Sequence, residues 1–218
     1  MDQMLKLDEL EQLVSEFVVL QSDINEKHKK YKSLENAKDE IAKDMEKLNN
    51  QSNSNNSADY NLMMVLLCDM ETNLINQQKD LKNLEIIKLE AESQIQNVAA
   101  DLRSNYICEI ARQHKNLKSY PIMVKFLEIA ITKLDSNAMY ELGLYYGEID
   151  DINNMFYYYH MSISHNNDKA IDKLGLYFTK LKNNQEMYLL GKTYETKNKN
   201  ISAKFYQFAA KQQNANAM

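Results

Sequence analysis

The side chains best suited to chemistry are few and scattered. "FYYYH" at residues 156–160 sets three tyrosines beside a histidine, and exposed rings of this kind can stack nucleic-acid bases. On a helix, however, Tyr158 and Tyr159 fall on the apolar stripe, and Tyr157 is the one left facing solvent. The four histidines are His28, His114, His160 and His165, none at metal-ligand spacing with an acid or a cysteine. His160 and His165 would stand about 140° apart on one continuous helix, which is a poor chelate. Asp150-Asp151 pairs two carboxylates, but in a segment that reads as a turn, where such pairs shape backbone more often than they move protons. No nucleophile elbow, phosphate loop, dinucleotide fingerprint or zincin motif occurs. The expectation is a chain without catalytic residues, metal or cofactor.

Lys192, Lys197, Lys199, Lys204 and Lys211 form a basic cluster that could meet phosphates. The balance of charge argues against nucleic acid as the main partner. Residues 1–105 carry −8, and residues 106–218 carry only +3 with a single arginine, Arg112. Opposite charges on the two halves also allow one molecule's acidic part to meet another's basic part.

The elements that position these residues are read from punctuation and period. Four glycines and one proline in 218 residues are too few for the turns of a sheet protein, so the fold class expected is all-α. Only Phe17, Tyr31 and Tyr60 of the 20 aromatic residues precede residue 106, which divides the chain into 1–105 and 106–218. Cys68 and Cys108 suit reduced thiols better than a disulfide framework. The acidic start "MDQMLKLDELEQ" lacks a signal-peptide pattern, and no apolar run reaches the ~18 residues of a membrane span. A cytoplasmic protein without membrane insertion is expected.

In the first half the apolar residues recur every seven positions. Leu10, Phe17, Ile24, Tyr31 and Met45 share one place, and Leu13, Leu20, Leu34, Ile41 and Leu48 the other, with Lys27 and Lys38 interrupting. A second seam runs Met63, Leu67, Met70, Leu74, Leu81, Leu84, Ala91, Ile95, Val98 and Leu102, interrupted by Gln77 and Lys88. Between them lies the polar stretch 49–61, a hinge without an apolar face, from which Ser57 can cap the next helix. Rods 3–49 and 58–104, each roughly 70 Å long, suggest a long antiparallel coiled-coil hairpin with Lys27 near Asp80. The alternative is a parallel homodimer interrupted by the Asn-rich stretch. Two helices bury one narrow stripe, so a further helix, from a second copy or a partner, is expected against the hairpin.

The second half repeats. "NAMYELGLYY" at 137–146 returns as "KAIDKLGLYF" at 169–178, and Met123, Met155 and Met187 keep the same interval of 32. Ala138, Leu142, Gly143 and Tyr146 share one helical face, and Ala170, Leu174, Gly175 and Phe178 repeat it. A facing helix carries Met155, Tyr158, Tyr159 and Ser162, echoed by Met123, Phe126, Leu127 and Ala130, and by Ala203, Tyr206, Gln207 and Ala210. Pro121 suits the first turn of such a helix.

These residues carry a resemblance. "A-x-x-x-L-G-x-x-Y" followed by "A-x-x-Y-Y-x-x-A" resembles the Sel1-like repeat, a relative of the tetratricopeptide repeat, over residues 106–218. The resemblance implies a short α-solenoid of helix pairs that acts as a scaffold or adaptor for protein partners, without chemistry of its own. The Asn-, Lys- and Tyr-rich spelling also resembles repeat proteins of large DNA viruses of protists. Leu190, Gly191 and Tyr194 repeat the phrase only 16 residues after Leu174-Gly175. Either a helix is missing there or 185–197 takes an unusual phase. "NANAM" at the end opens the phrase again, so the expected solenoid is truncated or uncapped there: a fragment of a longer array, an apolar edge that pairs with something, or a frayed tail.

Tyr140 and Leu144 face away from the Leu-Gly stripe, and Leu176 repeats Leu144 at the period. With Tyr157, these are the candidate partner-binding residues. The functional expectation is a protein-interaction adaptor, with homo-oligomerisation through the coiled coil as one route of assembly. The alternatives are an RNA-associated protein using the C-terminal lysines and a structural component of a larger particle.

Overall fold

The computed structural model describes residues 2–50 and 57–215. Among them there are nine α-helices: α1 (Asp2–Asn50), α2 (Ser57–Ala100), α3 (Ser104–Asn116), α4 (Tyr120–Thr132), α5 (Ser136–Glu148), α6 (Ile152–Ser164), α7 (Asp168–Lys180), α8 (Asn184–Tyr194) and α9 (Lys199–Ala215). The described residues are thus all-helical, with no strand. They form two compact units that divide between Asp101 and Leu102.

In the first unit α1 packs along α2. Lys6 pairs with Asp101 at 2.6 Å and Lys38 with Glu71 at 3.0 Å, so moving up α1 moves the partner back toward the start of α2. The two helices therefore run antiparallel. Leu10, Phe17, Ile24, Met45, Leu74, Leu81 and Ile95 are buried between polar flanks, as seven-residue spacing requires of a seam. Three local expectations change. Lys27 is exposed and does not pair with Asp80, because its long side chain reaches water directly; the ion pair formed across α1 and α2 is Lys38 with Glu71. Helix α2 stops at Ala100, so Leu102, placed on the seam by its spacing, lies beyond the helix end. Residues 49–50 and 57–61 of the expected hinge are helical, while 51–56 and the Ser57 side chain lie outside the described residues.

The second unit is built on a half-period of 16. Lys118, Leu134, Asp150, Asn166 and Lys182 all have positive φ, between 54° and 62°. Each sits just past a helix whose last carbonyls it helps to satisfy: Ser119 N donates to His114 O, Asp135 N to Ala130 O, Asp151 N to Tyr146 O, Asn167 N to Ser162 O and Asn183 N to Phe178 O. These are Schellman-type helix ends, usually made with glycine. The residue after each positive-φ position is the N-cap of the following helix, and all of these but Ser119 accept an amide hydrogen bond with the side chain. Asp135 Oδ1 accepts from the Asn137 and Ala138 amides, Asp151 from Asn154, Asn167 from Lys169 and Asn183 from Glu186. Asp150 and Asp151 are thus turn and cap, and Pro121 sits in the first turn of α4.

A left-handed conformation costs a non-glycine residue about 1–2 kcal/mol, least for Asn and Asp. Leu134 occupies one such position with its side chain 68% exposed and no packing to lose. Leu134→Gly is expected to stabilise the unit by about 0.5–1 kcal/mol in urea denaturation; a loss of stability would contradict this backbone geometry.

Packing departs from simple alternation. The intimate pairs are α3 with α4, α5 with α6, and α8 with α9, while α7 meets α6 on one side and α9 on the other. Glycines mark the contacts. A Cβ on Gly143 would lie 2.5 Å from the Tyr159 ring, one on Gly191 would lie 2.6 Å from the Tyr206 ring, and one on Gly175 would lie 2.6 Å from the Phe208 ring. Helix α8 therefore takes the role of α5, with α9 as its α6, and α7 has no following partner of its own. This decides the phase of residues 185–197: their Met187 is buried, but their Leu190-Gly191 face closes on α9.

The cap Asn198 follows Asn183 by 15 residues instead of 16, which slips α9 by one position. Tyr206 consequently stands where Tyr159 does, not where Tyr158 does, and the expected stripe of Ala203, Gln207 and Ala210 is exposed. The buried side chains of α9 are Ile201, Ser202, Phe205 and Ala209. Of the residues read as repeat core, Ala138, Leu142, Gly143, Ala170, Leu174, Gly175, Phe178, Gly191 and Tyr194 are buried, and Tyr146 and Leu190 are half-buried. Tyr146 belongs to a tyrosine run, stacked on Tyr158 at 5.4 Å and meeting Tyr145 edge-on.

Candidate functional site: a groove across α3, α5 and α7

Helices α3, α5 and α7 start 32 residues apart, so their first turns present equivalent positions side by side. Asn105, Asn137 and Lys169 form one such row, and Cys108, Tyr140 and Asp172 the next. Members of both rows, with Arg112, Lys115 and Glu141, line a concavity of about 260 Å³ whose floor is Ala111, Met123 and Leu127. An apolar floor with convergent polar walls is the usual make-up of a binding site.

Charges of both signs surround it. Lys115 lies 3.3 Å from Glu148 and 4.0 Å from Glu141, and Arg112 pairs with Glu109. Asp135 caps α5 with one carboxylate oxygen, and its other accepts a 3.8 Å hydrogen bond from the Cys108 thiol. Burial first, and then the Asp135 carboxylate, push the Cys108 thiol up to about 12. At neutral pH it stays a thiol, which is a weak nucleophile. Burial likewise raises the Tyr140 phenol, with Glu141 and Asp172 adding to it, so this ring remains a neutral donor. The groove can thus hold polar backbone and charged side chains through hydrogen bonds and ion pairs.

The candidate partner-binding residues separate. Tyr140 lines the groove and its ring sits 6.1 Å from that of Tyr159. Leu144 is half-buried against the core of α6 and α7, and Leu176 is 58% exposed on α7. Both share the register of Arg112, one turn beyond Tyr140, but neither is part of the groove wall. Tyr157 is exposed on α6 and meets Tyr158 edge-on, while Tyr159 is buried. The groove members not picked out from the sequence as site residues are Asn105, Cys108, Arg112, Lys115, Asp135, Asn137, Glu141 and Lys169. Their signal was the 32-residue row itself, legible once the helix starts are known.

The other chemistry-bearing groups stay apart. His160 Nδ1 lies 3.3 Å from the Tyr194 hydroxyl, and burial lowers its pKa. His114 stacks on Phe126 at 5.8 Å, and His28 and His165 face backbone carbonyls of their own helices. No group of three metal-ligating side chains occurs among the described residues, and none of their helices is long and apolar enough to cross a membrane. Of the C-terminal lysines, Lys204 is paired with Asp168 at 2.7 Å, and Lys192, Lys197, Lys199 and Lys211 are exposed. Comparison with protein-family models, with curated proteins and with solved structures finds no match to this chain.

Proposed function

We propose that this chain is a non-enzymatic adaptor: a Sel1-like α-solenoid holds a segment of a protein partner, and an antiparallel coiled-coil hairpin serves assembly. The observation that carries the reading is the groove, where Asn105, Asn137 and Lys169 come from the same helical position of α3, α5 and α7 and the floor is apolar. An extended segment lying across α3, α5 and α7 would meet Asn105 and Asn137 as backbone partners, Tyr140 as an aromatic contact, and Arg112 and Lys169 as charge readers. Supporting an assembly role for the hairpin, α2 leaves Leu62, Val65, Leu66, Ile75, Ile86 and Leu89 exposed away from its buried seam.

Arg112 and Lys169 are exposed rim residues, and substitutions at such positions change stability by about 0.5 kcal/mol or less. The double variant Arg112→Glu/Lys169→Glu is expected to keep its helical circular dichroism. Proteins co-purified with the unmodified chain after nuclease treatment should fall about tenfold in recovery on this variant. Equal recovery on both would sink the groove as the partner site, and recovery that vanishes with nuclease would move the reading to RNA.

A further inference from the structure

We infer that α2 pairs with the α2 of a second copy, antiparallel about a two-fold axis between Asn76 and Gln77, along a second heptad seam beside the inner one. This rests on the assembly reading of the hairpin and names its partner. The inner seam of α2 steps through Met63, Leu67, Met70 and Leu74 at alternating intervals of four and three. The same steps begun one residue later run from Met64 to Leu89 by way of Glu71, Ile75, Gln78 and Lys82. One residue turns a helix by about 100°, so this outer row looks sideways from the hairpin. It is open to water: Ile75 is 66% exposed, Leu89 63% and Met64 44%. Apolar side chains on two adjoining stripes are the mark of a helix that packs against more than one neighbour.

The occupant follows from the order of the residues. Read outward from the midpoint of Asn76 and Gln77, the row is Gln78, Lys82, Glu85 and Leu89 in one direction, and Ile75, Glu71, Cys68 and Met64 in the other, at identical steps. An antiparallel copy therefore sets Met64 against Leu89, Glu71 against Lys82 and Ile75 against Gln78, and each contact occurs twice. Opposite charges meet, and the apolar side chains are covered at both ends. A parallel copy in register would set Lys82 on Lys82 and Glu71 on Glu71, which repels. A different protein would need no such reciprocal order within one helix of this chain.

The structure leaves room for the second helix. On the side of this row α1 and α2 enclose a concavity of about 510 Å³, lined by Gln78, Lys82 and Glu85 of the row and by His28 and Tyr31 of α1. A helix laid along the row would cover those two rings as well, so that four helices meet. Lys82 is exposed, and Glu71 is exposed with Oε1 at 3.0 Å from Lys38 Nζ, a carboxylate able to take a second cation. The row lies wholly within α2 of the first unit, and its failure would leave the groove of the second unit untouched.

Sedimentation equilibrium of the full chain is the test. Residues 1–105 carry −8, and the repulsion of two such halves keeps the pairing weak, with a dissociation constant of about 1–100 µM expected at ~0.15 M salt. Lys82→Glu, which sets two carboxylates together twice, should raise that constant at least about tenfold, and so should Ile75→Glu. Both positions are exposed, so helical circular dichroism should not change. Adding Glu71→Lys and Lys38→Glu to Lys82→Glu reverses every pair, including the one between α1 and α2, and should restore the constant to within about threefold. A monomer at about 500 µM would overturn the inference and leave assembly of the hairpin to a different protein. A dimer indifferent to Lys82→Glu and Ile75→Glu would overturn the seam while the assembly reading stands. Failure of the reversed pairs to restore pairing would overturn the register.

Discussion

Phe205→Ala is expected to destabilise the second unit by about 3–5 kcal/mol, the range for truncating a fully buried aromatic ring. Phe205 has no exposed surface, lies 6.0 Å from the Tyr194 ring, and belongs to the cluster that also holds Leu174, Phe178 and Met187. That cluster joins α7 to α8 and α9, and α7 has no paired helix of its own to fall back on. The cavity therefore opens where helix-to-helix support is thinnest. Near-UV circular dichroism in urea is the suitable measurement, because 17 of the 20 aromatic residues lie in 106–218 and report this unit almost alone. A loss under about 1 kcal/mol would mean that α9 is not part of one cooperative core with α7.

The second large effect separates two glycines four residues apart. Alanine favours a helix by about 1 kcal/mol over glycine, so both Gly143→Ala and Gly147→Ala begin with the same gain. At Gly143 the new methyl would sit 2.5 Å from the ring of Tyr159, which is buried and held between Tyr140 and α7. The ring has to move, and overpacking of this kind costs about 1–3 kcal/mol, cancelling the gain and more. At Gly147 the methyl meets Met155 Sδ at 3.2 Å, the far end of a flexible side chain. Gly143→Ala is expected to lower stability and Gly147→Ala to leave it unchanged or raise it. A stabilising Gly143→Ala would show that α5 and α6 do not approach as closely as described. Larger side chains sharpen the contrast, and Gly143→Leu should prevent the α5–α6 pair from closing at all.

How legible the fold was depends on which physical signal each part rests on. Part of the α1 and α2 seam could be listed from spacing, because a seven-residue repeat names residues that tend to leave water whatever covers them. Leu10, Phe17, Ile24, Leu74, Leu81 and Ile95 are buried, but Leu13, Leu20, Leu34 and Ile41 are only half-buried, and Val14, on neither seam position, is fully buried. The cap residues Ser119, Asp135, Asp151, Asn167 and Asn183 stand 16 apart, and that finer period was present in the sequence but hidden beneath the 32-residue phrase. It would have given the boundaries of α4 through α8 and the one-residue slip at Asn198. The groove was legible only in part. Spacing marks Tyr140 as facing away from the Leu-Gly stripe, and it lines the groove while packing against Tyr159, whereas Asn105 and Lys169 are ordinary polar residues until the helix rows bring them to one wall.

The amino-acid sequence by itself determined that the described residues are helical and where most of their apolar stripes run, the stripe of α9 excepted. Those properties follow from composition and from the 3.6- and 3.5-residue periods, which act along the chain. Tertiary structure alone decided which stripe meets which. Helix α8 carries both the buried Met187 of one phase and the Leu190-Gly191 face of the other, so local pattern supports two partners equally. Only the competition for neighbours settles it: α9 supplies Tyr206 for Gly191 and Phe208 for Gly175, leaving α7 between two pairs. An apolar period states that a face must be covered, and the identity of the cover is a property of the assembled fold.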